Sequence, residues 1–316
     1  MSETHPLGRA IRFSLTSVAM VLLAASPAAA QDGNGYVGAE VCASCHEDMI
    51  ESYSHTIHSK VLNEQNAPSA LAKKGCEACH GPGQAHVEAG GGRGQGGPDW
   101  VIFGSDKRAD ITHENETCLQ CHAGGSQRYW EASPHESRGH ACTTCHDVKH
   151  PQSDDAMLTK SSQMALCSSC HPMPRSQMNR RSHMPTRPGK VGAGGEAYMD
   201  CGSCHNPHGT VTASLIESVT INENCYQCHA EKRGPFLWEH APVNENCLNC
   251  HVPHGSTRPN MLNATGPKLC QQCHIETLHP SNSYDRNNRF AVGKQCLNCH
   301  QKIHGSNHPS GNAFTR

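Results

Sequence analysis

The chain has 316 residues, a formal net charge of −2, 35% hydrophobic residues and 4% aromatic ones. An ordinary globular domain is roughly 45–50% apolar, so the large side-chain core that a chain of this length normally buries is excluded. The near-neutral charge excludes the electrostatic footprint of a nucleic-acid binder, and the 20 cysteines and 25 histidines exclude simple disorder, which favours Ser, Glu and Lys. Something held by Cys and His must stand in for the core.

Residues 1–30 read as an export signal. Arg9 and Arg12 form a positive region, Phe13 to Ala25 an apolar run, and Ser26 to Ala30 a small-residue cleavage site. The run is shorter than the roughly 20 residues that span a bilayer, so cleavage after Ala30 is expected rather than anchoring. The mature chain is expected to be soluble and to work outside the cytoplasm.

All 20 cysteines then fall in ten C-x-x-C-H motifs. In chain order these are Cys42, Cys45, His46; Cys76, Cys79, His80; Cys118, Cys121, His122; Cys142, Cys145, His146; and Cys167, Cys170, His171. The remaining five are Cys201, Cys204, His205; Cys225, Cys228, His229; Cys247, Cys250, His251; Cys270, Cys273, His274; and Cys296, Cys299, His300. The pattern is that of covalent c-type haem attachment. Residues three and four apart share a helical face, so both thiols reach the two vinyl groups of one porphyrin while the histidine rises beneath the iron as proximal ligand. Zinc ribbons or disulfides would use the same thiols, but neither needs a histidine after every second cysteine. The expected cofactors are ten covalently bound haem c groups.

The chain also carries an internal repeat of five two-haem units: a motif, a spacer ending in a lone histidine, a second motif, and one trailing histidine. The lone histidines are His58, His135, His183, His240 and His279, which precede the next motif cysteine by 18, 7, 18, 7 and 17 residues. The trailing histidines are His86, His150, His208, His254 and His304, which follow their motif histidines by 6, 4, 3, 3 and 4 residues. These ten are the expected distal ligands, the trailing ones serving a neighbouring haem because they lie too close to their own motif to cross its haem. His55, His113, His140 and His308 fall outside the pattern. The methionines show no such register, so His/Met haems are not expected. No catalytic residue is expected.

The fold expected is a multihaem c-type cytochrome of short α-helices and irregular loops around a haem chain, with little or no β-sheet. The 29 glycines and 19 prolines argue for loops between helical turns, with a longer helix near Ala39–Glu64. A division into pentahaem halves, 31–185 and 186–316, is expected at the proline-rich, basic gap between the fifth and sixth motifs.

In its wider contexts the sequence resembles the MtrA/DmsE-type periplasmic decahaem cytochromes. The segments that carry the likeness are C-E-A-C-H-G-P-G-Q-A-H (76–86), R-S-H-M-P (181–185) before C-G-S-C-H-N-P-H-G (201–209), and C-L-N-C-H-Q-K-I-H-G-S-N-H-P (296–309). The resemblance covers essentially the whole mature chain. It implies bis-histidine ligation throughout, an elongated shape, and insertion into an outer-membrane β-barrel porin. It also implies partners: an extracellular multihaem cytochrome or terminal reductase on one side, and periplasmic or inner-membrane quinol-linked cytochromes on the other. The leading reading is thus an electron conduit to the cell exterior. A soluble periplasmic carrier or store, and a multihaem reductase of a small oxyanion, are the alternatives.

Overall fold

The computed structural model describes residues 34–63, 65–104, 108–183, 199–274 and 295–315. The expected signal segment, the 185/186 division and His279 lie outside the described residues. Within them the chain is short α-helices, single 3-10 turns and loops, with isolated two-residue bridges and no strand. Among the described residues the buried apolar side chains are few and scattered from Val37 to Phe314, and three of the nine are alanines.

Each motif closes one helical turn. In nine motifs the histidine N–H donates to the carbonyl of the first cysteine at 2.9–3.1 Å, and the tenth turn ends the helix Arg108–His122. Hydroxyl caps set where several helices begin. Thr56 accepts from Ser59 N, Ser162 from Ala165 N and Thr220 from Glu223 N. The latter two launch Gln163–Cys170 and Ile221–Tyr226 directly into motifs. The helix expected near Ala39–Glu64 is instead three helices, Ala39–Ala43, Glu47–Ser54 and Ile57–Val61. The motif breaks the first at His46, whose backbone is non-helical (φ −114°, ψ 44°). Thr56 breaks the second by turning extended (φ −83°, ψ 162°) to cap the third.

Second motifs of the units are followed by a returning loop of one design. After His146, His205 and His251 the chain runs out and comes back to bridge the same histidine through Leu158, Ile216 and Leu262. Each return passes through two successive left-handed residues: Ala156 and Met157, Ser214 and Leu215, Asn260 and Met261, all with φ of 51–59°. Backbone of this kind is costly for non-glycine residues and collects at functional sites. Here the return arm anchors the motif histidine, as described next. Among the described residues, no helix is long and apolar enough to cross a membrane.

Candidate haem-binding sites

At the second motif of each unit the return arm supplies one half of the site. His80 Nδ1 donates to Val101 O at 3.1 Å, His146 to Ala156 O at 2.7 Å, His205 to Ser214 O at 2.7 Å and His251 to Asn260 O at 2.8 Å. His300 donates likewise to Ala313 O. An imidazole that donates through Nδ1 keeps its lone pair on Nε2, so the anchor fixes both the tautomer and the atom that faces a metal.

Except at His46, the other half comes from a different unit. The His208 loop docks on the spacer of the preceding unit: Asn206 Nδ2 donates to Ser126 O at 2.7 Å, and His135 Nδ1 donates to Pro207 O at 2.8 Å. The His254 loop docks on the previous spacer in the same way, with an Arg181–Ser256 bridge and His183 Nδ1 on Pro253 O at 3.4 Å. The His304 loop bridges Trp238 through Ser306, and Asn307 Oδ1 accepts from Leu237 N at 2.7 Å. At the first two of these junctions the residue before the trailing histidine is a proline, and its carbonyl orients the lone histidine of the previous unit.

These clasps bring expected proximal and distal histidines face to face. Ring centroids are 6.3 Å apart for His46–His86, 6.0 Å for His58–His122, 6.1 Å for His135–His171 and 5.9 Å for His146–His208. They are 6.1 Å apart for His183–His229, 5.9 Å for His205–His254, 6.2 Å for His240–His274 and 6.2 Å for His251–His304. Two imidazoles bound to one metal from opposite sides at about 2.0 Å, through nitrogens about 1.1 Å from the ring centres, have centroids about 6.2 Å apart. The residues therefore fit a six-coordinate haem iron at each of these eight places. The register is regular. The lone histidine of one unit faces the first motif of the next, and the trailing histidine faces the second motif of the unit before; His86 faces His46, which has no preceding unit.

Burial lowers the pKa of His58, His208, His240, His254 and His304. His80 is pushed down to about 4 by burial, with the Lys149 charge adding to it. Each is thus held in the neutral form that a metal ligand requires. By the same register His150 belongs to His80, but among the described residues its ring joins none of the 6 Å pairs and is exposed. His279, expected for the last site, is outside the described residues.

The thiols give the order of the motifs. First cysteines meet within a unit: Cys42 with Cys76, Cys118 with Cys142, Cys167 with Cys201, Cys225 with Cys247 and Cys270 with Cys296. Second cysteines lie within electrostatic range of one another between units, Cys79 of Cys121, Cys145 of Cys170, Cys204 of Cys228 and Cys250 of Cys273. The ten motifs therefore follow one another in single file in chain order. Among the described residues no group of three or more Cys, His, Asp or Glu could hold a bare metal ion, the arrangement a zinc ribbon needs.

Three supporting residues escape motif reading. Asn115 Oδ1 and Asn222 Oδ1 each accept from the first cysteine N–H of the next motif, Cys142 and Cys247, at 2.8 Å, and Gln163 Oε1 accepts from Gly202 N at 2.7 Å. They cap the second motif's turn from the helix that leads into the first, and so set the thiol contact inside a unit. The matching N-E-T-C and N-E-N-C contexts (115–118 and 222–225) carry that signal. Asn222 also donates to Val243 O and Asn244 O. Its replacement by alanine should lower the stability of the haem-loaded protein by about 1–3 kcal/mol with haem content unchanged. Thermal unfolding of the variant checks this, and an unaltered midpoint would show the cap to be dispensable. Trp100 is a fourth such residue, stacked on His86 at 4.6 Å and on His80 at 5.5 Å.

Comparison with known proteins agrees with this construction. Residues 193–234 and 240–279 match the doubled CXXCH motif family, and residues 76–170 match the family of NrfB-like cytochrome c-type proteins. The chain is 40% identical over 290 residues to the multihaem cytochrome MtrA of Shewanella baltica (strain OS185), covering 88% of this chain and 81% of the relative. The protein is accordingly a multihaem electron-transfer cytochrome with covalently bound haem c.

Proposed function

The chain belongs to the MtrA-type multihaem c-type cytochromes, and from that premise we propose that it is a ten-haem conduit passing electrons between periplasmic carriers and the cell exterior through an outer-membrane porin. The observation that carries this reading is the file of histidine pairs, eight of them 5.9–6.3 Å apart, threaded on motifs that neighbour one another in chain order. Haem supplies a one-electron iron couple, with its potential set by axial ligand, hydrogen bonding and burial. The chain's residues do the rest. Cysteines fix each porphyrin, return-arm carbonyls orient the proximal imidazoles of the second motifs, and contacts between units deliver every paired distal histidine except His86.

With His150 and His279 as the remaining distal ligands, every iron takes two histidines. A reductase needs an iron with an open position and an acid group beside it, and this ligand set leaves none. The two pentahaem halves, 31–185 and 186–316, meet where Cys167 contacts Cys201, so the file runs on across the division. The partners proposed are a β-barrel porin, an extracellular multihaem cytochrome or terminal reductase, and quinol-linked periplasmic or inner-membrane cytochromes, with the protein exported by cleavage after Ala30.

Co-purification from detergent-solubilised outer membranes tests this. Haem absorbance should elute with a β-barrel through sizing. Recovery only as a free periplasmic monomer would make the protein a carrier or store instead.

A further inference from the structure

The two routes by which the chain delivers its second histidine leave the ring planes in two different relations. Trailing histidines lie nearly parallel to their partners: 15° for His86 on His46, 14° for His208 on His146, 26° for His254 on His205 and 17° for His304 on His251. Spacer histidines cross theirs: 72° for His58 on His122, 85° for His135 on His171 and 57° for His183 on His229. His240 is the exception at 17° to His274, and among the described residues it alone of the four spacer histidines has a phenyl ring, Phe314, against it at 5.5 Å.

The cause lies in the anchors. His208 sits in its own tight loop, where Asn206 Oδ1 accepts from its backbone N–H at 3.0 Å, and His86 sits on the helix Gln84–Glu88 and donates from Nδ1 to Gln95 O of its own unit at 2.6 Å. Two of the three crossed spacer histidines are oriented from outside by the next unit's loop, His135 through Pro207 O and His183 through Pro253 O. One arm turns with its own unit and the other with its neighbour's, so they meet their irons at different angles.

We propose that these two delivery routes create two electronic classes of haem that alternate along the interior of the file: crossed ligand planes on His122, His171 and His229, parallel planes on His146, His205 and His251. The inference rests on bis-histidine ligation as read above. An imidazole donates π density only perpendicular to its ring. Parallel rings act on the same iron d orbital and split the d pair; crossed rings act on both and leave them nearly degenerate. In the ferric state the first gives a rhombic three-line low-spin signal and the second a single low-field feature of large anisotropy.

Two spectra of the fully oxidised, haem-loaded protein test the assignment. The near-infrared magnetic circular dichroism band reports ligand identity irrespective of ring angle, and low-temperature electron paramagnetic resonance reports the angle. The expected result is bis-histidine ligation in the first and both signals in the second. Three of the eight assigned sites are crossed and five parallel, so three to five of ten spins should be low-field. His135→Met should remove one spin from the low-field feature, and His208→Met one from the rhombic set. Bis-histidine ligation with rhombic signals alone would overturn the two classes and leave the ligation intact. So would His135→Met drawing its loss from the rhombic set. A histidine–methionine or high-spin band in the unaltered protein would overturn the ligation reading and this inference with it.

Discussion

Replacing His254 by methionine should raise the potential of one haem, that on His205, by on the order of 0.1 V while the number of attached haems stays unchanged. The two histidines stand in different units, 49 residues apart in sequence, yet their rings are 5.9 Å apart. Burial holds His254 neutral, the neighbouring His205 adding to the effect. A thioether is a weaker donor to ferric iron than imidazole, so the reduced state gains. Attachment depends on Cys201 and Cys204, which the substitution does not touch. A redox titration followed in the near infrared should show one component displaced upward and a methionine-ligated band of one-haem intensity. An unaltered spectrum would remove His254 from the ligand set. His240→Met should do the same for the haem on His274.

Replacing Gly209 by alanine should have the largest structural effect of any single methyl group. Gly209 follows His208 at φ +122°, and a Cβ there would lie 2.0 Å from Tyr129 O and 2.6 Å from its carbonyl carbon. The obstacle is backbone, so a rotamer change cannot relieve it. Leaving a glycine-only conformation costs about 1–3 kcal/mol and the overlap a further 1–3 kcal/mol or so. The strain falls on the clasp that presents His208 to His146 and Pro207 O to His135. Loss of one low-spin haem at the His146 site, seen as a new high-spin ferric signal, is the expected readout, with a lowered unfolding midpoint. Gly255 is built alike, at φ +140° with a Cβ position 2.2 Å from Gln177 O. Retention of ten low-spin haems in Gly209→Ala would show that the close approach is not what seats His208.

These glycines show how far the sequence could be read. The motifs, the missing apolar core and the split into lone and trailing histidines follow from local spacing, because cysteine attachment and the proximal ligand lie within one helical turn. The recurrence of P-H-G around His208 and His254 was also visible, but its reason was not. Proline's carbonyl and glycine's missing Cβ both act on a segment of the preceding unit, a contact no local pattern encodes. For the same reason the partner of every paired distal histidine but His86 was hidden: ligand and iron come from different units, and the docked loop chooses between them. The long helix expected near Ala39–Glu64 failed because the motif at Cys42–His46 spends its helical turn on the haem and leaves His46 non-helical. The longest helix among the described residues, Arg108–His122, carries no strong amphipathic stripe to announce it. His150 keeps the sequence register but not the ring pairing of its equivalents, so it is the distal assignment that stands on sequence alone among the described residues.

Reconstitution of the native complex into liposomes with an entrapped redox dye measures the central claim directly. With reductant outside, dye inside should be reduced only when the haem-loaded cytochrome is present with its porin, and Cys201→Ala with Cys204→Ala, which removes a haem from the middle of the file, should slow that reduction by orders of magnitude. Dye reduction that proceeds equally without the cytochrome, or none with the intact complex, would contradict an electron path along this chain.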